Sequence, residues 1–277
     1  MMTLAPQPAP QHADEDAAMP PRADCIADSA GGLTFDLTGS ARSGAAYLLL
    51  RRRGGDEEVS LPLTPAADGR LRATLPSSVE LPEGRWDAYA QLADGEPQRL
   101  VPGINDLRAL VDRVPDGDTG GRIAVRIPYA TKHGNLTVRS WLRVPHAEAG
   151  ELYVKEGELS VRGRLYGETL TPDAYAEVRA RHAPETTLRA DITADRTEFR
   201  FTVGYGALTE GVWDLWLCPA GDSGPRVRIA RLLDDVADKK PIFTYPKVTL
   251  KTEQGDAVAG PYYTADNDLS VTVTAVS

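Results

Sequence analysis

Aromatic side chains at matched positions are the residues here whose types and spacing could bind a ligand. Tyr129 lies in a Pro-Tyr-x-Thr element that returns around Tyr262 and Tyr263, with Trp141 after the first element and Trp216 before the second. Exposed aromatics on strands stack on sugars or peptides. Alternatively, each tyrosine packs at a sandwich corner with its hydroxyl bonded to backbone. The repetition favours the structural role, but it also fits two equivalent binding sites.

Ser223, in the string Gly-Asp-Ser-Gly-Pro, is the most obvious nucleophile candidate. The string resembles the nucleophile motif of chymotrypsin-like serine proteases, but it lacks the second glycine before the proline. A triad also needs a histidine held by a buried aspartate, and the expected Ala-Ala-His-Cys context is absent from the sequence. Ser223 aligns with the turn 94–98 of the first half. We therefore predict a turn and no catalytic residue.

Metal and cofactor chemistry is not indicated by the spacing of potential ligands. No histidine pair and no Cys-x-x-Cys has the spacing of a metal site, and the histidines are predicted to lie on loops or at the surface. The acidic clusters, such as Asp116-Gly117-Asp118, lack the glycine and glutamate of an EF-hand loop. We predict solvated turns, no metal and no cofactor.

The elements that must position these residues occur twice. Glu83-Gly-Arg-Trp-Asp-Ala-Tyr89 returns as Glu210-Gly-Val-Trp-Asp-Leu-Trp216, and Asn135-Leu-Thr-Val138 returns as Asp268-Leu-Ser-Val271. A repeat of this length is longer than the period of a solenoid. It predicts an internal duplication that produced two domains of one architecture.

Apolar residues alternate with polar ones in short runs separated by Gly, Pro, Asp and Asn, which is typical of half-buried antiparallel strands. The predicted fold class is all-β, with two tandem immunoglobulin-like or fibronectin-like β-sandwich domains. The predicted boundaries are a disordered leader at 1–28, domain 1 at 29–145, a linker at 146–157 and domain 2 at 158–277.

Two segments leave the secondary structure open. Ile104–Val114 has apolar residues at helical spacing with Asn105 as a possible cap, and Ile229–Val236 is its counterpart. Each could be a helix of one or two turns or an edge strand with a bend. Trp86 and Trp213, at matched positions, are predicted to be the packing centres of the two cores.

The composition limits the possible partners. A formal net charge of −9 argues against nucleic acid. No apolar run is long enough to span a membrane. The two cysteines, Cys25 and Cys218, do not form a repeated disulfide framework, which indicates either a reducing compartment, and so the predicted cytoplasmic location, or cores that need no disulfide.

The element Pro-Tyr-x-Thr, followed by Asn/Asp-Leu-Ser/Thr-Val and preceded by Glu-Gly-x-Trp-Asp, resembles β-sandwich accessory domains of actinobacteria. Such domains accompany glycosyltransferases and teichoic-acid-type glycerophosphotransferases. The resemblance covers residues 30–277 and implies a companion module in surface-polymer biosynthesis. It transfers no catalytic residue to this chain.

These observations together favour a non-catalytic tandem module that binds a partner protein or a glycan, with the five aromatics above as binding candidates. Two alternatives stay open. One is a structural or oligomeric scaffold component. The other is an enzyme, or an enzyme subunit, with its site at the inter-domain joint near Pro145–Gly157. The sequence does not determine the oligomeric state.

Overall fold

The computed structural model describes residues 20–38, 46–66, 69–93, 95–111, 113, 115, 122–252 and 255–276. Strands dominate this part of the chain, as the alternating apolar pattern predicts, and the all-β fold class is confirmed. The predicted leader up to residue 19 lies outside the described residues. No helix in the described ranges has the length and apolar character needed to span a bilayer.

Strands of the first half form two sheets, in the orders β5-β6-β2-β1-β9 and β10-β11-β7-β3-β4, with β8 paired to β7. Their bounds are β1 Arg22–Ala27, β2 Leu33–Thr38, β3 Ala46–Arg52, β4 Glu58–Pro62, β5 Thr64–Pro65, β6 Leu71–Leu75, β7 Gly84–Leu92, β8 Gln98–Arg99, β9 Val101–Asp106, β10 Ile123–Ala130 and β11 Leu136–Arg143. Most pairs are antiparallel, and β1 with β9 is parallel.

Strands of the second half join into one larger sheet system, in the order β16-β17-β13-β12-β19-β18-β22-β21-β20, with β14 linking β15 to β18. Their bounds are β12 His146–Lys155, β13 Glu158–Tyr166, β14 Tyr175–Ala180, β15 Thr187–Asp191, β16 Thr193–Asp195, β17 Glu198–Gly204, β18 Gly211–Cys218, β19 Val227–Ala230, β20 Val248–Thr252, β21 Gly255–Tyr263 and β22 Leu269–Ala275.

Two predictions about local structure need correction. Arg22–Ala27, placed in the disordered leader, is a strand because its alternate residues Ala23, Cys25 and Ala27 enter the first core. The predicted linker 146–157 is largely β12, which pairs with both β13 and β19. The β12–β13 register is irregular between Ala149 and Leu152, around Gly150. The division into two domains, and the duplication, stay predictions.

The two ambiguous segments are mainly extended. In the first, β9 is followed by a 3-10 turn at Arg108–Leu110, whose N-cap is Leu107 rather than Asn105. In the second, β19 ends at Ala230 and an irregular segment follows. In the first segment only Leu110 of the described residues at helical spacing is buried, whereas Ile104 and Val111 are exposed, so the spacing does not mark one buried helix face.

Trp86 and Trp213 are almost fully buried, 1% and 2% exposed, in two separate hydrophobic clusters. Each indole nitrogen donates to a carbonyl four residues earlier, Pro82 O at 3.0 Å and Thr209 O at 2.9 Å. The prediction that both residues are packing centres is confirmed. The bonds satisfy the polar atom that burial would otherwise leave without water.

The two aspartates that follow these tryptophans are each held by two arginines and one hydroxyl. The contacts are Asp87 with Arg53 (2.6 Å), Arg99 (2.7 Å) and Thr137 (2.8 Å), and Asp214 with Arg181 (2.6 Å), Arg228 (3.1 Å) and Ser270 (2.9 Å). Burial acts to raise the pKa of both carboxyls, but the arginines and hydroxyls outweigh it and the net pKa is lowered. The repeated Trp-Asp pair therefore joins a core anchor to a polar cluster.

Candidate active site

The five predicted binding aromatics differ in accessibility. Trp141 and Tyr263 are fully buried, so their rings cannot stack on a ligand, and the expectation of exposed binding faces is wrong for these two. Trp141 donates to Asp266 O at 3.2 Å, and Tyr263 packs edge-on against Phe243. The prediction failed for Trp141 and Tyr263 because alternation of apolar and polar residues does not show which face of a strand packs against another element.

The remaining three aromatics, Tyr129, Tyr262 and Trp216, are partly buried. The Arg228 guanidinium lies over the Trp216 ring, 5.0 Å from its centroid. The structure does not bring the five aromatics together as one surface, and a binding role for these three stays a prediction.

The Ser223 segment forms a turn stabilised by its own polar side chains. Ser223 Oγ donates to Ala220 O at 3.2 Å, and Asp222 accepts a hydrogen bond from Tyr175 at 2.6 Å. These hydrogen bonds give the side chains of Ser223 and Asp222 a structural role in the turn. Among the described residues, no group of three or more potential ligands is placed to hold a metal ion.

A carboxylate with several converging polar contacts lies where the two halves of the chain meet, on β12. Glu148 accepts from the backbone N–H of Leu232, at 2.9 Å to one oxygen, and of Leu233, at 3.0 Å to the other. It also lies 2.7 Å from His146 Nε2. Since β12 alternates its side chains, His146 and Glu148 share one face. The carboxylate is therefore fixed from several directions.

His146 is fully buried, which corrects the expectation of a loop or surface histidine. Its Nδ1 is buried and has no hydrogen-bond partner among the described residues. If Nε2 carries the proton and donates it to the Glu148 carboxylate, Nδ1 of the neutral ring is an acceptor. The ring stacks on Tyr166, with centroids 6.4 Å apart. Burial raises the pKa of the Tyr166 hydroxyl, although Arg164 acts in the opposite direction.

A cavity of about 420 Å³ adjoins this histidine–glutamate pair. Its lining is Arg113, Glu148, Ala149, Gly150, Glu151, Tyr166, Arg231 and Leu233. Arginines from both halves of the chain thus face one space that also contains a fixed carboxylate. Such an arrangement can bind a substrate with an anionic group and place it near a base.

Contacts between the halves hold this joint in place. Leu232 is fully buried and belongs to the first hydrophobic cluster, although it lies in the second half of the sequence. Arg143 pairs with Glu83 at 3.0 Å and with Asp268 at 2.8 Å. Arg139, only 7% exposed, pairs with Asp266 at 2.7 Å. These contacts hold Leu232 and the turn 264–268 against the first half of the chain.

The sequence reasoning named the joint but missed the residues in it. The available signal was the spacing His146-x-Glu148, which places two polar side chains on one strand face. It was overlooked because the segment was interpreted as a linker. No local sequence pattern marks Tyr166 and Arg231 as cavity residues, since they come close to His146 and Glu148 only in the folded chain.

No family model matches the chain. The chain is 29% identical over 161 residues to the mycothiol acetyltransferase of Beutenbergia cavernae, a match that covers 53% of this chain and 52% of that protein. The chain thus spans about half the length of this curated relative. The relative is named as an enzyme, which contradicts the interpretation of the chain as a non-catalytic, non-enzymatic binding module. That interpretation is wrong, and the alternative of an enzyme or enzyme subunit is better supported.

Among solved structures, S. aureus TarS shares 13% identity, covering 65% of this chain and 35% of TarS, with a TM-score of 0.32. A pullulanase from Anoxybacillus sp. LM18-11 shares 11% identity, covering 70% of this chain and 24% of the pullulanase, with a TM-score of 0.25. A tetra-tandem repeat of a large adhesion protein shares 12% identity, covering 93% of this chain and 66% of that structure, with a TM-score of 0.22. At TM-scores this low, none of these likenesses carries an argument. The all-β architecture implied by the sequence resemblance is present, and its actinobacterial part stays a prediction.

Proposed function

We propose that this chain is an enzyme, or a subunit of one, whose site is the joint cavity and whose reaction is acetyl transfer to a nucleophilic acceptor. The observation that carries the proposal is His146, a buried imidazole oriented by Glu148 beside a cavity with arginines in its wall. The enzyme name of the curated relative supports the choice of acetyl transfer.

His146 is the general base in this proposal, and Glu148 is a positioning residue. The acceptor nitrogen or sulfur attacks the carbonyl of an acetyl thioester, a bond forms to that carbon, and the thiolate leaves. Nδ1 of His146 takes the proton of the acceptor and returns it to the leaving thiolate. Arg231 lies in the cavity wall and can stabilise negative charge on the carbonyl oxygen.

Access to His146 depends on Tyr166, because the imidazole is fully buried and the Tyr166 ring stacks against it. Tyr166 also lines the cavity. Binding of the acceptor therefore includes movement of this ring away from the imidazole. The same movement exposes Nδ1 only when substrate is present, which limits its contact with water.

The test is thiol release from acetyl-coenzyme A with a panel of amine and thiol acceptors. His146→Gln is expected to lower kcat by about 100-fold or more, the range of a general base. His133→Gln, in an exposed turn, is the matched control and should keep wild-type activity. Thermal unfolding of both variants separates loss of activity from loss of fold. No acetyl transfer to any acceptor, or equal activity of His146→Gln and wild type, would overturn the proposal.

A further inference from the structure

A second cavity, of about 340 Å³, lies beside the start of β10. Its polar and charged lining is Ser77, Ser78, Glu80, Arg113, Arg122 and Arg126. Three guanidinium groups and one carboxylate therefore line this space among the described residues, and the carboxylate, Glu80, pairs with Arg122. This excess of positive charge contrasts with the acidic net charge of the whole chain.

Arg126 is the most unusual of these residues, since its side chain is buried and only 2% of the residue is exposed. It donates to Pro76 O at 2.8 Å, to Gly31 O at 3.5 Å and to Val79 O. All three acceptors are neutral carbonyls. In the described ranges, no carboxylate lies within ion-pairing distance of this guanidinium. A buried charge without a counter-ion is unfavourable.

Arg113, already counted in the lining, lies close enough to Arg126 to influence it. Burial is the main cause that lowers the pKa of Arg126, and the nearby Arg113 charge lowers it further, while Asp28 acts in the opposite direction. Arg113 donates to Ala124 O at 3.0 Å and lies against Gly31. A Cβ at Gly31 would lie 3.0 Å from the Arg113 nitrogens, and its φ of +92° also favours glycine. The backbone thus permits the close approach of two guanidinium groups.

The geometry points to an oxyanion site in this cavity, with Arg126 as its buried anchor and a phosphate or carboxylate group of a small ligand as its occupant. Guanidinium groups bind both kinds of oxyanion through paired N–H donors. The hydroxyls of Ser77 and Ser78 can donate to the remaining oxygens. The inference does not depend on the proposed acetyl transfer, although Arg113 also lines the joint cavity.

Titration calorimetry of the intact chain at constant ionic strength provides the test, with inorganic phosphate in one arm and acetate in the other. Saturable binding of phosphate alone assigns the site to phosphate groups, and saturable binding of acetate alone assigns it to carboxylates. Binding of both supports a general oxyanion site. Absence of saturable binding in both arms overturns the inference.

Two pairs of variants test the location of the site. Arg122→Gln should weaken binding by about threefold to tenfold, and Glu80→Gln should tighten it by a similar factor, because each changes one charge at the cavity wall. The controls are Arg51→Gln and Glu58→Gln, which alter an ion pair of similar exposure outside the cavity. Equal shifts in the control variants would show a response to overall charge and would overturn the site.

Discussion

Two turns of this molecule have the same local hydrogen bonds and different surroundings. In the turn 131–135, Thr131 Oγ1 accepts from the backbone of His133 at 3.4 Å and Asn135 at 3.2 Å. In the turn 264–268, Thr264 Oγ1 accepts from the backbone at the two corresponding positions, both at 3.2 Å. The first turn is mostly exposed. The second docks on β11 through Asp266 and Asp268.

The difference lies in the side chains that the shared backbone displays. The exposed turn carries Lys132, His133 and Gly134, whereas the docked turn carries an acidic residue, a buried asparagine and a second acidic residue. Because β11 presents arginines at the joint, only the acidic turn is complementary to it. The threonine pattern determines the local turn, and the charges determine which turn becomes part of an interface.

The largest expected effect comes from removal of the arginine that links the docked turn to the first half. Arg143→Met leaves both Glu83 and Asp268 without their shared partner, in a region where Arg143 and Asp268 are less than one-fifth exposed. The free energy of unfolding should fall by about 3 kcal/mol. Urea denaturation measures it, with Arg51→Met, from an exposed pair, as the control. An equal loss of stability in both variants would show that the Arg143 contacts at the joint contribute no more than an exposed ion pair.

The central residues of the two turns provide a second and smaller contrast. Asn267 has a φ of 61° and is fully buried, where it donates to Ala237 O at 3.2 Å and accepts from Lys239 N at 3.1 Å. Gly134 has a φ of 75° in the exposed turn. Asn267→Gly keeps the backbone conformation and loses both bonds, so it should cost about 2 kcal/mol.

The reciprocal change, Gly134→Asn, should alter stability by less than about 0.5 kcal/mol, because asparagine tolerates this conformation and no buried bond is lost. Both variants can be compared by their midpoints of thermal unfolding. A large change in stability for Gly134→Asn, or none for Asn267→Gly, would show that burial does not determine how the central residue of each turn contributes to stability.

Features common to both halves should respond alike. Asp87→Asn and Asp214→Asn each remove the charge at the centre of an arginine–hydroxyl cluster and should cost about 1.5 kcal/mol at neutral pH. The folded pKa of each aspartate is lowered. The stabilisation is therefore present above the unfolded pKa of about 4 and is lost as the pH falls through the lower folded pKa. Unfolding measured between neutral and strongly acidic pH should show each variant converging on wild type.

The fold class was predictable because burial follows local alternation. In β18, for example, Trp213, Leu215 and Leu217 are buried on alternate positions. The same alternation is weaker in β12, a segment predicted from the sequence to be a linker. Strand pairing with β13 and β19 overrode that local preference.

The candidate active site was less predictable, because its contacts join distant parts of the sequence. Glu148 accepts from the backbone of Leu232, 84 positions away. Almost every residue type has a backbone N–H, so no sequence motif identifies Leu232 as the partner of Glu148. Only the spacing of His146 and Glu148 was visible beforehand, and two polar residues on one strand face are common.

Within the docked turn, the smallest effect is expected at its exposed side. Asp266 is 55% exposed and pairs with Arg139, which is 7% exposed. Solvent screens the aspartate, so Asp266→Asn should cost only about 0.5 kcal/mol, and less at high salt. Urea denaturation at two salt concentrations measures this cost, with Asp195→Asn as an exposed control outside the joint. A loss as large as that of Arg143→Met would mean that the Asp266–Arg139 pair contributes as much as the Arg143 contacts, and the contrast between the turns would then rest on both aspartates equally.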